Sequence, residues 1–229
     1  MSKIVNPFSY RLGIIRDWRS RWITGGRVFG EDYLKKLKAD VLLREYLIKT
    51  LRDKMIGEIE MERSKGSWRI KIPTARPGLI IGRSGEGVVE LKKKVEKFLK
   101  QKKILTTEEI KLDIVEVQSP ESNAKIVSMM VSEGLEKRLP FRRVMKSTVE
   151  KVMQNKDVLG VKITLAGRLG GADMARVESL KKGNIPLQTL RADIDFHREK
   201  AHMTYGVVGI KVWIYKGNIF TKKTPNLNK

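Results

Sequence analysis

Apolar positions recur with two different periods along the chain, and the changes of period predict where helices and strands lie. Between residues 40 and 55, leucines and a methionine recur at every fourth position, which predicts a helix with Asp40 as its N-cap. Strict alternation of apolar and polar residues follows in residues 58–62 and 68–72, separated by a polar turn, and returns in residues 110–114. These three alternating segments are predicted strands.

Two apolar helical segments lie between the second and third of these strands, joined by the loop Gly82-Arg83-Ser84-Gly85. Glycine lacks a side chain, so the backbone here can approach a phosphate closely, and the following helix adds free N–H groups and a positive dipole end. Strand, helix, G-x-x-G, helix, strand is the core of a KH module, which clamps single-stranded RNA. The candidate RNA contacts of this module are Gly82, Arg83, Ser84, Gly85, Arg76, Lys92 and Lys93.

Other phosphate-binding glycine loops do not fit the residues. A Walker loop ends in Gly-Lys-Ser or Gly-Lys-Thr, and neither tripeptide occurs in the chain. A dinucleotide fingerprint requires G-x-G-x-x-G directly after a strand, whereas the order here is G-x-x-G-x-G after a short helical segment. Because a helix and a strand stand ahead of the KH core, the module, residues 39–118, is predicted to have the type II topology common in bacteria.

A basic arm, residues 1–38, precedes this module. Trp18, Trp22 and Phe29 are interleaved there with nine Lys and Arg residues. Such a mixture can stack on bases and pair with phosphates, but the same aromatic residues can instead pack the arm onto the next domain. The pattern leaves both possibilities open.

Residues 119–217 are predicted to form a second domain, followed by a polar tail, residues 218–229. Two helical patterns separated by Pro140 come first, and a further short helix is predicted near residues 173–181. Strand patterns lie in residues 161–165, 190–196 and 208–214. The predicted fold class is therefore α+β: an N-terminal type II KH domain followed by a domain in which two helices pack on a mostly antiparallel sheet.

The second of these helices carries a basic stripe, defined here as Arg142, Arg143 and Lys146. At about 100° per residue the first and third lie almost above each other, and Arg143 lies beside them. The apolar residues of the helix point away from the stripe. A solvated helix face would look the same, but beside a KH module we interpret the stripe as an RNA contact.

Asp193, Asp195 and His197 could suggest a metal site or acid–base catalysis. Their spacing of two places all three on one face of a strand, opposite an apolar row. We interpret them as a solvent-facing row near Arg168 and Arg191, and not as a catalytic site.

Charge is the strongest compositional feature. The chain has 229 residues, with 48 Lys and Arg against 26 Asp and Glu, a formal net charge of +22. A solubility function alone would account for a charge of about 2–8, so the excess favours a polyanionic partner.

The composition also limits the cofactors and the location of the protein. With no cysteine and two histidines, thiolate metal sites are excluded, and we expect no metal and no cofactor. Neither a run of eighteen apolar residues nor a signal-peptide pattern occurs, so we expect a cytoplasmic protein with no membrane contact.

Several long runs stand in a fixed order along the chain: T-A-R-P-G-L-I-I-G-R-S-G-E-G-V, F-R-R-V-M-K, G-R-L-G-G-A-D-M-A-R, P-L-Q-T-L-R-A-D-I-D-F and T-Y-G-V-V-G-I-K-V-W-I-Y-K-G. In this order they resemble the family of bacterial small ribosomal subunit protein three. The resemblance covers nearly the whole chain, from Asn6 to Gly217.

The resemblance implies a non-enzymatic constituent of the small ribosomal subunit that binds 16S ribosomal RNA in the subunit head. It also implies contacts with small-subunit proteins ten and fourteen. With proteins four and five, the family lines the channel through which messenger RNA (mRNA) enters. The residues matching the family's grip on mRNA are Arg142, Arg143 and Lys146. The further ribosomal RNA contacts that we expect are Arg11, Arg16, Arg19, Arg21, Arg168, Arg176 and Arg191.

The chain departs from the family pattern in two places. Arg83 and Ser84 stand where relatives often have two lysines, which halves the charge of the loop, and the C-terminal tail is shorter than in many relatives. Two other functions are compatible with a KH module. One is a free KH regulator of mRNA, and the other is a KH-bearing GTPase, against which the missing phosphate loop argues.

Overall fold

The computed structural model describes residues 5–22, 29–64, 66–102 and 108–220. The chain forms two compact units, one of Arg19–Gln118 and one that joins Met1–Trp18 to Ser119–Lys229. Over the described part of the chain, no helix combines the length and apolar character needed to cross a membrane.

The described residues contain six α-helices and eight strands. In chain order they are α1 (Pro7–Tyr10), β1 (Ser20–Arg21), α2 (Phe29–Thr50), β2 (Glu60–Ser64), β3 (Ser67–Thr74), α3 (Gly78–Ile81), α4 (Glu86–Gln101), β4 (Glu109–Glu116), α5 (Ala124–Glu136), α6 (Phe141–Gln154), β5 (Gly160–Gly167), β6 (Arg176–Gly183), β7 (Ala192–Met203) and β8 (Gly206–Asn218).

The first unit contains a sheet of order β1-β2-β3-β4, in which β2 and β3 are antiparallel and β3 and β4 are parallel. The leucines at every fourth position of α2 are buried, as are the alternating apolar residues of β3. The three strands expected here are all present, with ends shifted by one or two residues. Helix, strand, strand, helix, loop, helix, strand is the order predicted for the KH module.

The prediction that Asp40 caps a helix was wrong. Helix α2 begins at Phe29, and Asp40 lies inside it with 3% of its surface exposed. Its carboxylate accepts a hydrogen bond from Trp22 Nε1 at 2.8 Å and ion-pairs with Arg63 at 2.6 Å. The sequence does not distinguish an aspartate that caps a helix from one in a buried ion pair, because the partners of the side chain come from other parts of the chain.

The second unit is a fully antiparallel sheet of order β6-β5-β8-β7, backed by α5 and α6. Val127, Val131 and Val149 of the two helices pack on Val161, Ile163 and other alternating residues of the sheet. The α+β fold class is confirmed.

One predicted element of this unit was wrong. Residues 173–181 do not form a helix, because Arg176–Gly183 is the edge strand β6, paired along its whole length with β5. Its side chains are mostly exposed, and Leu180 alone among them packs against the core. A strand with so few buried side chains has no clear alternation, so only its pairing with β5 identifies it.

The row Asp193, Asp195 and His197 also lies differently from the prediction. It is on the sheet face that packs against α5, where Asp195 Oδ2 accepts a hydrogen bond from the backbone N of Ala124 at 2.9 Å. Asp193 pairs with Arg16 at 2.5 Å. Asp193 and Asp195 therefore anchor neighbouring segments, and the row lies on the face of the sheet that packs against a helix and not on a solvent-facing one. Among the described residues, no three potential metal ligands lie together.

Candidate nucleic-acid interface

The G-x-x-G loop is exposed and has an unusual backbone. Gly82, Ser84 and Gly85 all have positive φ angles, +70°, +53° and +81°. Two of these are glycines, for which the left-handed region carries no steric cost, and the third is Ser84, a residue type that adopts it rarely. Arg83 and Ser84 point into solvent between α3 and α4. The loop thus presents backbone and one cation at the start of a sixteen-residue helix, as an anion clamp requires.

A third glycine makes this geometry possible and was not singled out from the sequence. A Cβ on Gly87 would lie 2.4 Å from the carbonyl oxygen of Ile80 and 2.8 Å from that of Ile81. Only glycine lets the first turn of α4 approach the end of α3 this closely. The signal in the sequence was the second glycine of the run Gly85-Glu86-Gly87, directly after the loop.

Helix α4 separates apolar from basic residues as predicted. Leu91, Val95 and Leu99 are buried, while Lys93 is exposed and Lys92 is half-buried in the second turn after the loop. Arg76 is exposed just before α3, and its backbone N donates to the hydroxyl of Thr74, which holds the chain where it leaves β3. On the same helix, Glu90 binds Lys94 at 2.7 Å, which lowers the pKa of the carboxyl and raises the pKa of the amine.

The basic stripe lies at the start of α6, on its exposed face. Arg143 and Lys146 are exposed, and no ion-pair partner is present for either among the residues that the structure describes. The side chain of Arg142 is 72% exposed and lies 3.5 Å from Glu178, an acid that also holds Arg176 at 3.2 Å. Its charge is therefore partly neutralised, whereas the other two charges of the stripe are not.

The stripe lies at the end of α6 where the helix macrodipole disfavours cations. Arg142 and Arg143 lie in the first turn of α6, where the macrodipole is positive, and Pro140 supplies no side-chain cap. Cations at a helix N-terminus are unfavourable by about 0.3–1 kcal/mol each at low salt. An anion bound at this end would meet two side-chain charges and the dipole together.

Arg11 does not belong to the expected RNA surface. It is completely buried, and its guanidinium donates to the carbonyl oxygens of Pro7, Leu187, Thr189 and Ala192 at 2.6–3.0 Å. Burial lowers the pKa of this guanidinium, although arginine stays protonated in proteins. The prediction that Arg11 contacts ribosomal RNA is corrected: its donors bind the chain itself.

The other expected ribosomal RNA contacts are partly paired. Arg16 and Arg19 pair with Asp193 at 2.5 Å and Glu58 at 3.0 Å, and Arg21 lies 3.7 Å from Glu62. Arg168 binds Asp173 at 3.1 Å and the carbonyl oxygen of Ala172 at 2.9 Å, and the exposed Arg191 lies over the ring of Phe220.

The aromatic residues of the arm divide between the two possibilities left open. Trp22 packs within the first unit against Asp40 and the ring of Tyr33, with ring centroids 5.5 Å apart, whereas Trp18 is 65% exposed. The side chain of Phe29 lies outside the described residues.

The fold and the loop define a KH protein with a second α+β domain. A KH-domain family matches residues 42–122, and the family described as ribosomal protein S3, C-terminal domain, matches residues 131–214.

Full-length relatives carry the description small ribosomal subunit protein uS3. That of Caldicellulosiruptor bescii is 43% identical over 229 residues, covering 100% of this chain and 98% of the relative. That of Geobacter metallireducens is 45% identical over 219 residues, covering 96% and 98%, and that of Ligilactobacillus salivarius is 40% identical over 226 residues, covering 99% and 98%. The chain belongs to the uS3 family of small-subunit ribosomal proteins.

Proposed function

We propose that this chain binds 16S ribosomal RNA in the head of the small ribosomal subunit. As a uS3 protein, it is a structural constituent of that subunit. We propose further that it helps to line the channel through which mRNA enters. The family is structural and not enzymatic, so its residues act by binding and positioning RNA. A free KH regulator fits this chain less well, because the match to ribosomal proteins extends over both domains and nearly every residue.

The exposed G-x-x-G loop supports the ribosomal RNA contact. Its positive-φ backbone and the helix behind it suit a sugar–phosphate backbone. With Arg83 and Ser84 in the loop, the charge of the clamp comes from one arginine and from the flanking Arg76, Lys92 and Lys93. This contact therefore rests on backbone geometry as much as on charge.

The observation that carries the mRNA function is the pair Arg143 and Lys146. Both are exposed and lack an ion-pair partner among the described residues, and they lie at the positive end of a helix whose opposite face is buried in the core. Such a face binds phosphates without base preference. It therefore suits a strand of any sequence, and by holding the phosphates of a strand that has opened it favours the open strand over the hairpin.

The experiment compares two double variants with equal loss of charge. Arg143→Ala with Lys146→Ala removes the unpaired part of the stripe, and Lys151→Ala with Lys156→Ala removes two exposed charges from the far end of the same helix region. Purified ribosomes carrying each variant translate an unstructured mRNA and the same mRNA with a stable hairpin ahead of the ribosome.

We expect the stripe variant to slow several-fold on the hairpin template alone, and the control variant to match the wild type on both. Equal slowing of the stripe variant on both templates, or on neither, would return the stripe to the status of a solvated face. Sedimentation of the tagged chain checks the broader proposal: it should migrate with the small subunit, and a mostly ribosome-free pool would contradict it.

The proposed neighbours follow from the family resemblance. They are small-subunit proteins ten and fourteen in the head, and proteins four and five near the mRNA channel. Chemical cross-linking of assembled subunits followed by mass spectrometry tests each contact, and cross-links to other proteins in their place would refute it.

A further inference from the structure

Each unit has a sheet with one face turned away from its helices, called here the outer face. In the second unit α5 and α6 pack on one face, together with alternating residues of all four strands. The intervening residues form the outer face. Strand register therefore states which side chains are neighbours there, because directly paired residues share a face.

Four cations cross this outer face as a continuous band. Lys181 of β6 is paired directly with Lys162 of β5, and Lys211 of β8 is paired directly with Arg198 of β7. The two pairs are diagonal neighbours, because Lys162 faces Trp213, two residues from Lys211. The cationic band, Lys162, Lys181, Arg198 and Lys211, thus touches all four strands, and three strand spacings make it about 14 Å long.

No acid interrupts the band. The outer-facing positions of β5 to β8, all of them described, contain neither Asp nor Glu, and the acids of these strands lie on the opposite face, among them Glu178, Asp193 and Asp195. Lys181, Arg198 and Lys211 are exposed, and Lys162 is half-buried. Like charges directly opposite each other destabilise a sheet. Here two such pairs stand side by side.

Two aromatic rings on the same face lie beside cations of the band. Lys162 Nζ lies 5.4 Å from the ring centroid of Trp213, and the guanidinium of Arg198 lies 5.7 Å from that of Phe196. The two rings pack against each other at 5.1 Å and are only 3% and 9% exposed. These contacts hold two of the four cations in place before any ligand arrives.

The sheet of the first unit provides an internal comparison. Its outer face carries Arg69, Lys71 and Lys111, and each has an acid within 4 Å: Arg69 lies 3.3 Å from Asp113, Lys71 lies 2.8 Å from Glu62, and Lys111 lies 3.7 Å from Glu109. The first sheet therefore neutralises these three cations with acids on the same face, whereas the four cations of the band have no acid on theirs. The high net charge of the protein therefore does not by itself explain why the band lacks acids.

We propose that the cationic band binds the sugar–phosphate backbone of RNA, without base preference, as a site separate from the G-x-x-G loop and the basic stripe. An acidic protein is the weaker candidate for the ligand of the band. Protein interfaces centre on accessible aromatic or apolar anchors, and the rings beside the band are buried. A phosphate chain needs only spaced cations. This inference rests on the proposed RNA-binding function and extends it to a further surface.

The test uses the full-length chain and two matched triple variants. Lys181→Gln, Arg198→Gln and Lys211→Gln remove the exposed part of the band, and Arg69→Gln, Lys71→Gln and Lys111→Gln remove three cations from the neutralised face. The probe is an in vitro transcript of the head domain of 16S ribosomal RNA, and the affinity is measured over a range of salt concentrations.

We expect the band variant to lose about tenfold or more in affinity, and its log–log salt slope to become shallower by about two to three, since each phosphate contact contributes about 0.7–0.9 to the slope. The control variant should keep the wild-type slope. A band variant with wild-type affinity and slope overturns the inference. If the wild-type chain itself fails to bind the transcript, the proposed function fails first, so the two failures are distinguishable.

A second measurement needs no variant. Acylation of lysines in the wild-type chain, read by mass spectrometry, should show Lys181 and Lys211 protected by the RNA and Lys111 still reactive. Lysines of the band that stay reactive with RNA bound, but become protected when ribosomal proteins are added in its place, would assign this face to a protein partner and refute the RNA site.

Discussion

Replacing Arg11 by alanine should destabilise the second unit without weakening RNA binding. The guanidinium has no exposed surface, and four carbonyl oxygens lie within 3.0 Å of its nitrogens. Three of these carbonyls belong to residues 187–192, the segment that leads into β7. The arginine thus ties α1 to that segment through hydrogen bonds that only a planar, multiply donating group can make.

The magnitude follows from these contacts. Each hydrogen bond to a charged group contributes about 1.5–3 kcal/mol, so four give roughly 6–12 kcal/mol gross. Water that enters the vacated space rehydrates some carbonyls, and the variant no longer buries a cation. The net loss should be about 3–5 kcal/mol, because each carbonyl left without a donor costs about 1–3 kcal/mol unless water reaches it. For a chain of this size that lowers the unfolding temperature by roughly 6–20 °C.

The assay is denaturant unfolding of the full chain, with hydrogen exchange followed in residues 186–192. The matched control is Arg191→Ala, an exposed arginine in the same segment, which should change stability by no more than about 0.5 kcal/mol. Arg11→Lys should fall between the two, because an ammonium cannot reach carbonyls on several sides at once.

The RNA measurement separates a structural from a binding function. Below the unfolding transition, Arg11→Ala should bind the 16S transcript as the wild type does. A stability loss below about 1 kcal/mol, far short of the cost of four lost charged hydrogen bonds, would refute the account of Arg11 as a structural clasp. Weaker RNA binding at unchanged stability would restore it to the RNA surface.

Three further predictions concern single positions. Gly87→Ala should destabilise the first unit by more than the roughly 1 kcal/mol typical of a point change, because its Cβ would lie 2.4 Å from the carbonyl oxygen of Ile80; a variant with an unchanged denaturation midpoint contradicts this. Asp195→Ala removes the acceptor for the Ala124 N–H at the start of α5 and should cost about 0.5–2 kcal/mol, as loss of a helix cap does; it fails if amide exchange at the start of α5 does not accelerate. Glu178→Gln releases two arginines from a shared acid and should strengthen RNA binding and steepen its salt slope by about one; unchanged binding would mean that neither arginine meets RNA.

The sequence alone determined the local features of this protein. The loop Gly82–Gly85, the strands around it and the two helices of the second domain were predictable because glycine spacing and apolar period act over a few residues. The long motifs then identified the family. The exposed face of α6 followed from helix geometry alone, since Val144 and Val149 are buried and Arg143 and Lys146 are not.

Contacts between distant residues decided what the sequence could not. Nothing local distinguishes Arg11, which is buried, from the exposed Arg191, because three of the four carbonyls that hold Arg11 come from residues about 180 positions away. The same holds for Asp40 inside α2 and for the edge strand β6, which pairing with β5 identifies. Above all, the cationic band arises only from strand register: its four members are scattered from residue 162 to 211. Charge is a property of each residue, but whether a charge is buried, neutralised or part of a surface depends on which neighbours the tertiary fold supplies.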